Sequence, residues 1–173
     1  MNKATTDSGG STPLLIAAEM GHLDVVRQLV QEAKAEVDKG STDSGCTPLF
    51  QAASQGHLNI VHFLIEEGKA DVEKATTDGG VTPLIMAAMN GHLAIVRVLV
   101  EEGKAELDKF DDQIITPIAI AAHKGRLEIV RFLLAKGADC TIKDNISGDG
   151  PLEAAKKEGR TNVAKLLLDA ASP

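Results

Sequence analysis

Five prolines set the frame of this chain: Pro13, Pro48, Pro83, Pro117 and Pro151 recur 35, 35, 34 and 34 residues apart. Gly21, Gly56, Gly91, Gly125 and Gly159 keep the same spacings. A fixed period of this size means a stacked array in which each copy is one supersecondary unit. Five copies fill the 173 residues and leave no length for a second globular unit. The reading is one domain over 1–173, with repeats at about 7–41, 42–76, 77–110, 111–144 and 145–173, the last as a C-terminal cap.

Each copy is predicted to form two helices. In "STPLLIAAEMG", Thr12 is placed to cap a helix, and Pro13 takes the first helical position, where a missing N–H costs nothing. Leu14, Ala17 and Ala18 make a narrow apolar stripe whose small alanines let neighbouring helices approach, and Gly21 ends the helix in a left-handed cap. In "HLDVVRQLVQEA", Val25, Val26, Leu29 and Val30 cover one face of a second helix. The same places hold Ile60, Val61, Leu64 and Ile65, then Ile95, Val96, Leu99 and Val100. They hold Ile129, Val130, Leu133 and Leu134 in the fourth copy, and Val163, Ala164, Leu167 and Leu168 in the fifth. One helix pair cannot bury such a face alone, so stacked neighbours supply the core. Polar linkers such as "KADVEKATTDGG" after Gly68 read as extended turns or short hairpins projecting from the stack.

Composition narrows the function classes. With 43% apolar but only 2% aromatic residues, the core has to be aliphatic and alanine-rich. A net charge of −7 argues against nucleic acid, whose phosphates need a basic face, and against anionic membranes. No apolar run approaches a bilayer span, and "MNKATTDSGGSTP" has no hydrophobic signal core, so a soluble cytoplasmic or nuclear protein is expected. Cys46 and Cys140 form neither a disulfide framework nor a metal-binding spacing, and both are expected to stay reduced.

The segments "TPLLIA", "TPLFQA", "TPLIMA", "TPIAIA" and "GPLEAA" resemble the T-P-L-H-x-A motif of the ankyrin repeat, and the likeness covers essentially the whole chain. Its Gly-His turn recurs as Gly21-His22, Gly56-His57 and Gly91-His92, then as Gly125-Arg126 and Gly159-Arg160, while "GADC" at Gly137 matches the family's G-A-D-V. The resemblance implies an all-α ankyrin-repeat solenoid of five stacked helix-turn-helix units with projecting β-turn or hairpin loops. Departures are visible. Leu15, Phe50, Ile85, Ala119 and Glu153 occupy the family's histidine position, and Lys34, Lys69 and Lys104 stand as single insertions that lengthen the period. Lys69 and Lys104 follow Glu66-Glu67 and Glu101-Glu102 and are placed to offset acidic groups at a helix C-terminus.

Catalytic readings find no support. There is no G-x-S-x-G elbow, no P-loop and no H-E-x-x-H, so the chain is read as a non-enzyme with no cofactor and no metal. His22, His57 and His92 stand one repeat apart, about 8–10 Å in a stack, too far to share a zinc ion. Backbone hydrogen bonding in the turns is the better role for them. His62 falls on the exposed face of a second helix. Arg27, His62, Arg97, Arg131 and Lys165 recur at one position as a basic ladder. Each has a mate on its own helix: Asp24, Glu66, Glu101, Glu128 and Asp169 respectively.

Positions that vary while the scaffold repeats are free for recognition. At the first-helix ends these include Ser54-Gln55, Met89-Asn90 and His123-Lys124, beside Glu19-Met20 and Lys157-Glu158. In the loops they include Cys46, Asp78, Val81, Asp112 and Gln113. "KFDDQIITP" stands apart, because Phe110, Ile114 and Ile115 lie in a loop whose other copies are polar and glycine-rich. Exposed apolar clusters mark binding sites, and aromatic anchors concentrate interface energy. Packing of the three on one another or on adjacent loops is the competing explanation. By resemblance, the expected function is non-catalytic binding of a protein partner through the concave helix face and loop fingertips, as scaffold, adaptor or inhibitor. The alternative is a structural, self-associating segment of a larger protein, or an engineered ankyrin scaffold. The chain is expected to be a monomer, with dimerisation through the uncapped first repeat as the other outcome.

Overall fold

The computed structural model describes residues 10–171. The beginning of the first repeat and the reading of the N-terminus as signal-free lie outside the described residues. Among the described residues, ten helices form five helix-turn-helix pairs, and no strand occurs. The first pair is α1 (Pro13–Glu19) and α2 (Leu23–Gln31), the second α3 (Pro48–Gln55) and α4 (Leu58–Glu66). The third is α5 (Pro83–Asn90) and α6 (Leu93–Glu101), the fourth α7 (Pro117–His123) and α8 (Leu127–Lys136), the fifth α9 (Pro151–Lys157) and α10 (Thr161–Ala170). Odd-numbered helices stack in one layer and even-numbered helices in a second.

Local chemistry explains the boundaries. The hydroxyls of Thr12, Thr47, Thr82 and Thr116 accept the backbone N–H three residues on, at 3.1–3.3 Å, and a proline opens each of those helices. Gly150 offers no such oxygen, so α9 starts without a side-chain cap. Buried Leu15, Phe50 and Ile85 fill the position where the family motif has histidine, replacing a polar contact with core volume. The alanine pairs 17–18, 52–53, 87–88 and 121–122 are buried and bring the first helices together, while Val61, Leu64, Val96, Leu99, Val130 and Leu133 fill the space between layers. Truncating one of these leucines to Ala would cost about 2–5 kcal/mol.

The lysine insertions have a backbone role. Lys34, Lys69 and Lys104 adopt φ of 52, 55 and 59°, the left-handed conformation that Gly137 provides after α8. Each reverses the chain so that the next residue's N–H returns to the preceding helix: Ala35 to Leu29, Ala70 to Leu64 and Ala105 to Leu99, all at 2.9 Å. Lys104 also donates from Nζ to the Glu101 carbonyl oxygen, at the end of α6 where a cation suits the dipole. No helix is long and apolar enough to cross a membrane among the described residues.

Candidate partner-binding surface

The ends of α1, α3, α5 and α7 are each pinned by the next pair. Gly21 and Gly56 turn at φ 79 and 86°, and the rings of His57 and His92 lie against them. The His57 Nε2 bonds the Glu19 carbonyl at 2.9 Å, and the His92 Nε2 bonds the Ser54 carbonyl at 3.0 Å. Where the turn carries arginine, the bond survives: Arg126 Nε donates to the Met89 carbonyl and Arg160 Nε to the His123 carbonyl, both at 3.2 Å. His57 and His92 therefore work as expected, and arginine substitutes for them through the same type of donor.

This stapling sets the varying side chains in a row. Ser54, Met89 and His123 are half-buried, whereas Gln55 and Lys124 are exposed. Asn90 is less free than its variability suggests, because its Nδ2 donates to the Ser54 carbonyl at 2.9 Å. His123 Nδ1 stands 3.9 Å from Glu158. Sequence reasoning passed over Ile16, Met86 and Ile120, half-buried residues in the fifth place of the T-P-L motif. Their signal was available, since that place changes from copy to copy between the threonine cap and the buried alanines.

The fingertips join into a continuous ridge. Within a loop, Ser41 N–H reaches the Cys46 carbonyl, Thr76 the Val81 carbonyl and Asp144 the Asp149 carbonyl, each at 3.0 Å. Between loops, Thr77 N–H donates to Ser44 at 2.8 Å, Asp112 to Gly79 at 3.0 Å and Asn145 to Gln113 at 3.2 Å. Asp78, Asp112 and Gln113 are exposed on this ridge, and Cys46 and Val81 are half-buried. The Cys46 thiol accepts the Ser44 hydroxyl at 3.1 Å, and Cys140 packs against the core; both are free thiols.

The loop 110–115 departs from its neighbours as the sequence suggested, with a further difference. Phe110 is 51% exposed and borders an open groove with Glu106, Leu107, Asp108 and Lys109. Lys109 is fixed by Glu73, whose carboxylate lies 3.1 Å away. Ile114 and Ile115 are only half-buried. Ile114 has φ 58°, where the equivalent loop positions hold Gly10, Gly45, Gly80 and Gly148 at 65–71°. A β-branched residue in that region is a backbone outlier. Asp111 holds the turn closed, its Oδ1 accepting the N–H groups of Gln113 and Ile115 at 2.9 Å.

Electrostatics reinforce the loops. Ser41 and Ser44 hydrogen bonds hold the Asp43 carboxyl below its usual range, and the Ser147 N–H does the same for Asp144. The Thr141 hydroxyl lowers Asp139, and the Lys157 ammonium lowers Asp149. The basic ladder corrects one expectation. Arg131 does pair with its own-helix Glu128 at 3.5 Å, but Arg27 reaches Glu67 of the next pair at 3.8 Å and covers the Phe63 ring at 5.0 Å. Arg97 likewise covers Phe132 of the next pair at 4.6 Å. Stacked residues one period away offer a ring that the own helix lacks, and for Arg27 a carboxylate within reach.

Comparison with known families matches the chain to the family described as ankyrin repeats (three copies), over residues 1–78, 69–144 and 115–173. A comparison with curated proteins finds no match.

Proposed function

The chain belongs to the ankyrin-repeat family, whose members are generally protein-interaction modules, and from that premise we propose that it binds a protein partner across pairs two to four. The five pairs act as one non-catalytic domain, as scaffold, adaptor or inhibitor in a reducing compartment of the cytoplasm or nucleus. The site comprises the first-helix ends around Ser54, Gln55, Met89, Asn90, His123 and Lys124, with the ridge at Cys46, Asp78, Val81, Phe110, Asp112, Gln113, Ile114 and Ile115.

The observation that carries this reading is Ile114. Four other loops place glycine where a left-handed residue is needed, and this loop places isoleucine there. Such strain costs roughly 1–3 kcal/mol and collects at functional sites. The same loop carries Phe110, half outside the fold, an aromatic anchor of the kind that concentrates interface energy.

Affinity capture with the immobilised chain tests the site when wild type is run beside Phe110→Ala and Ile114→Gly, with Lys165→Ala on α10 as control. A protein retained by wild type and the control, and lost from both loop variants at equal helix content, is the expected result. A partner held equally by all four chains overturns the site. A second reading rests on Val25, which is 44% exposed although its equivalents Ile60, Ile95, Ile129 and Val163 are 1–2% exposed against the preceding pair. That bare face would serve self-association. Light-scattering mass separates the readings: a concentration-dependent dimer abolished by Val25→Lys supports self-association, and a monomer at all concentrations rejects it.

A further inference from the structure

Three successive steps of the second-helix layer can be compared residue by residue. At the first step, Gln31 Nε2 donates to Glu67 at 2.7 Å, and the Arg27 guanidinium stands 3.8 Å from the same carboxylate. At the third step, Lys136 Nζ meets Glu101 at 2.8 Å, with Arg97 in the arginine position. A permanent cation therefore serves the carboxylate at each of these steps. At the middle step the same three positions hold His62, Glu66 and Glu102. The guanidinium has become an imidazole, and both remaining positions are carboxylates. His62 Nδ1 lies 2.8 Å from Glu102, and donor atoms of all three side chains lie within 4.8 Å of one another.

We propose that His62, Glu66 and Glu102 bind a divalent first-row transition ion, with zinc the best match, between the second and third helix pairs. One imidazole nitrogen and two carboxylate oxygens are a ligand set suited to zinc, and three protein ligands leave a coordination position open for water or another group. Calcium and magnesium fit less well, because they take six or more oxygen ligands and do not favour imidazole.

The geometry needs little adjustment. Two ligands about 2.0–2.2 Å from a tetrahedral ion stand roughly 3.4 Å apart. The closest pair is slightly nearer than that and the widest about an ångström and a half farther. His62 and Glu66 lie one turn apart on the same face of α4, and Glu102 caps α6, so two rigid helices carry the ligands. Glu66 and Glu102 are exposed and have rotamers free to close on an ion. A dication neutralises both carboxylates and uses the imidazole lone pair. A proton on His62 leaves one carboxylate uncompensated. The bound ion would staple two neighbouring pairs and raise stability by mass action.

Calorimetric titration of the metal-stripped full chain with zinc chloride tests the proposal. The expected result is one saturable site per chain, weakened about tenfold or more in His62→Ala and in Glu102→Gln and unchanged in His22→Ala. Cobalt(II) in place of zinc should give visible bands without a thiolate charge-transfer band, which excludes Cys46 and Cys140 as the ligands. All three substitutions are at accessible side chains, so helix content should be unaltered, and circular dichroism verifies this. Absence of saturable zinc binding overturns the proposal, as does binding that both site variants retain or a cobalt spectrum dominated by thiolate.

Discussion

Replacing Ile114 with glycine should leave the protein as stable as before, although Ile114 is half-buried. Losing half of an isoleucine's burial removes about 1 kcal/mol, given ~1.5–3 for the whole side chain. The added freedom of glycine in the unfolded chain removes another 0.5–1 kcal/mol or so. Against these stands relief of the left-handed backbone at φ 58°, worth roughly 1–2 kcal/mol for an ordinary residue and more for a β-branched one. The opposing contributions nearly cancel, which alone would be a weak result. Ile115→Gly sharpens it, because that neighbour is also half-buried but has no positive φ. It should lose about 2 kcal/mol with nothing in return. Urea denaturation followed by circular dichroism measures both, with the midpoints compared at unchanged slope. Equal losses in the two variants would show that Ile114 carries no strain in solution, and the functional argument built on it would fall.

Gly56→Ala should destabilise by about 2 kcal/mol or more, since the residue has φ 86° and its new Cβ would lie 2.9 Å from the His92 ring that bonds Ser54; an unchanged thermal midpoint would refute this role for the turn. Lys69→Gly should raise stability by about 0.5–1 kcal/mol, because glycine adopts the left-handed conformation that the inserted lysine is forced into; a loss in urea midpoint would show that the lysine side chain matters more than its backbone. Asp43, Asp139, Asp144 and Asp149 are held below the ordinary aspartate value of 3.8, so the native state binds fewer protons than the unfolded chain. Their contribution is present above that value and is lost as pH falls through the lowered folded values; stability measured from pH 6 to 2 should fall at the acid end, and less steeply in Asp144→Asn.

The fold was legible because its signals repeat. A threonine cap, a proline at the first helical position and a left-handed glycine delimit a first helix in four copies, and each is observed in its expected role. The turn residues were legible too, since His57 and His92 bond the preceding helix as a Gly-His turn suggests. The conformations of the lysine insertions were not. Lys69 and Lys104 look like charges placed to compensate acidic helix ends, and nothing in these lysines or in Lys34 announces a positive φ. The strain at Ile114 was partly visible, since the sequence marks an apolar residue in a glycine-rich loop, but only the aligned backbone shows that it occupies the glycine's own position.

Ion pairing was misjudged for a different reason, one that applies to any stacked array. A search along one helix looks three or four residues ahead and pairs Arg27 with Asp24 and His62 with Glu66. In a stack, the nearest opposite charge can stand one period farther on. Glu67 follows Arg27 by 40 residues, and Glu102 follows His62 by the same interval. The two steps are equivalent by register, yet one joins a guanidinium to a carboxylate and the other an imidazole to two carboxylates. Repetition thus supplies its own control: the arginine step shows what the geometry does with a permanent cation, and the histidine step lacks one. Zinc affinity in His62→Arg follows from that comparison. The substitution restores the arginine of the neighbouring steps, so zinc binding should vanish while stability without metal rises slightly, by at most about 1 kcal/mol for an exposed pair. Calorimetry and urea denaturation of the metal-free variant measure the two effects. Retained zinc binding would show that His62 is not a ligand, and a loss of stability would show that the two steps are not interchangeable.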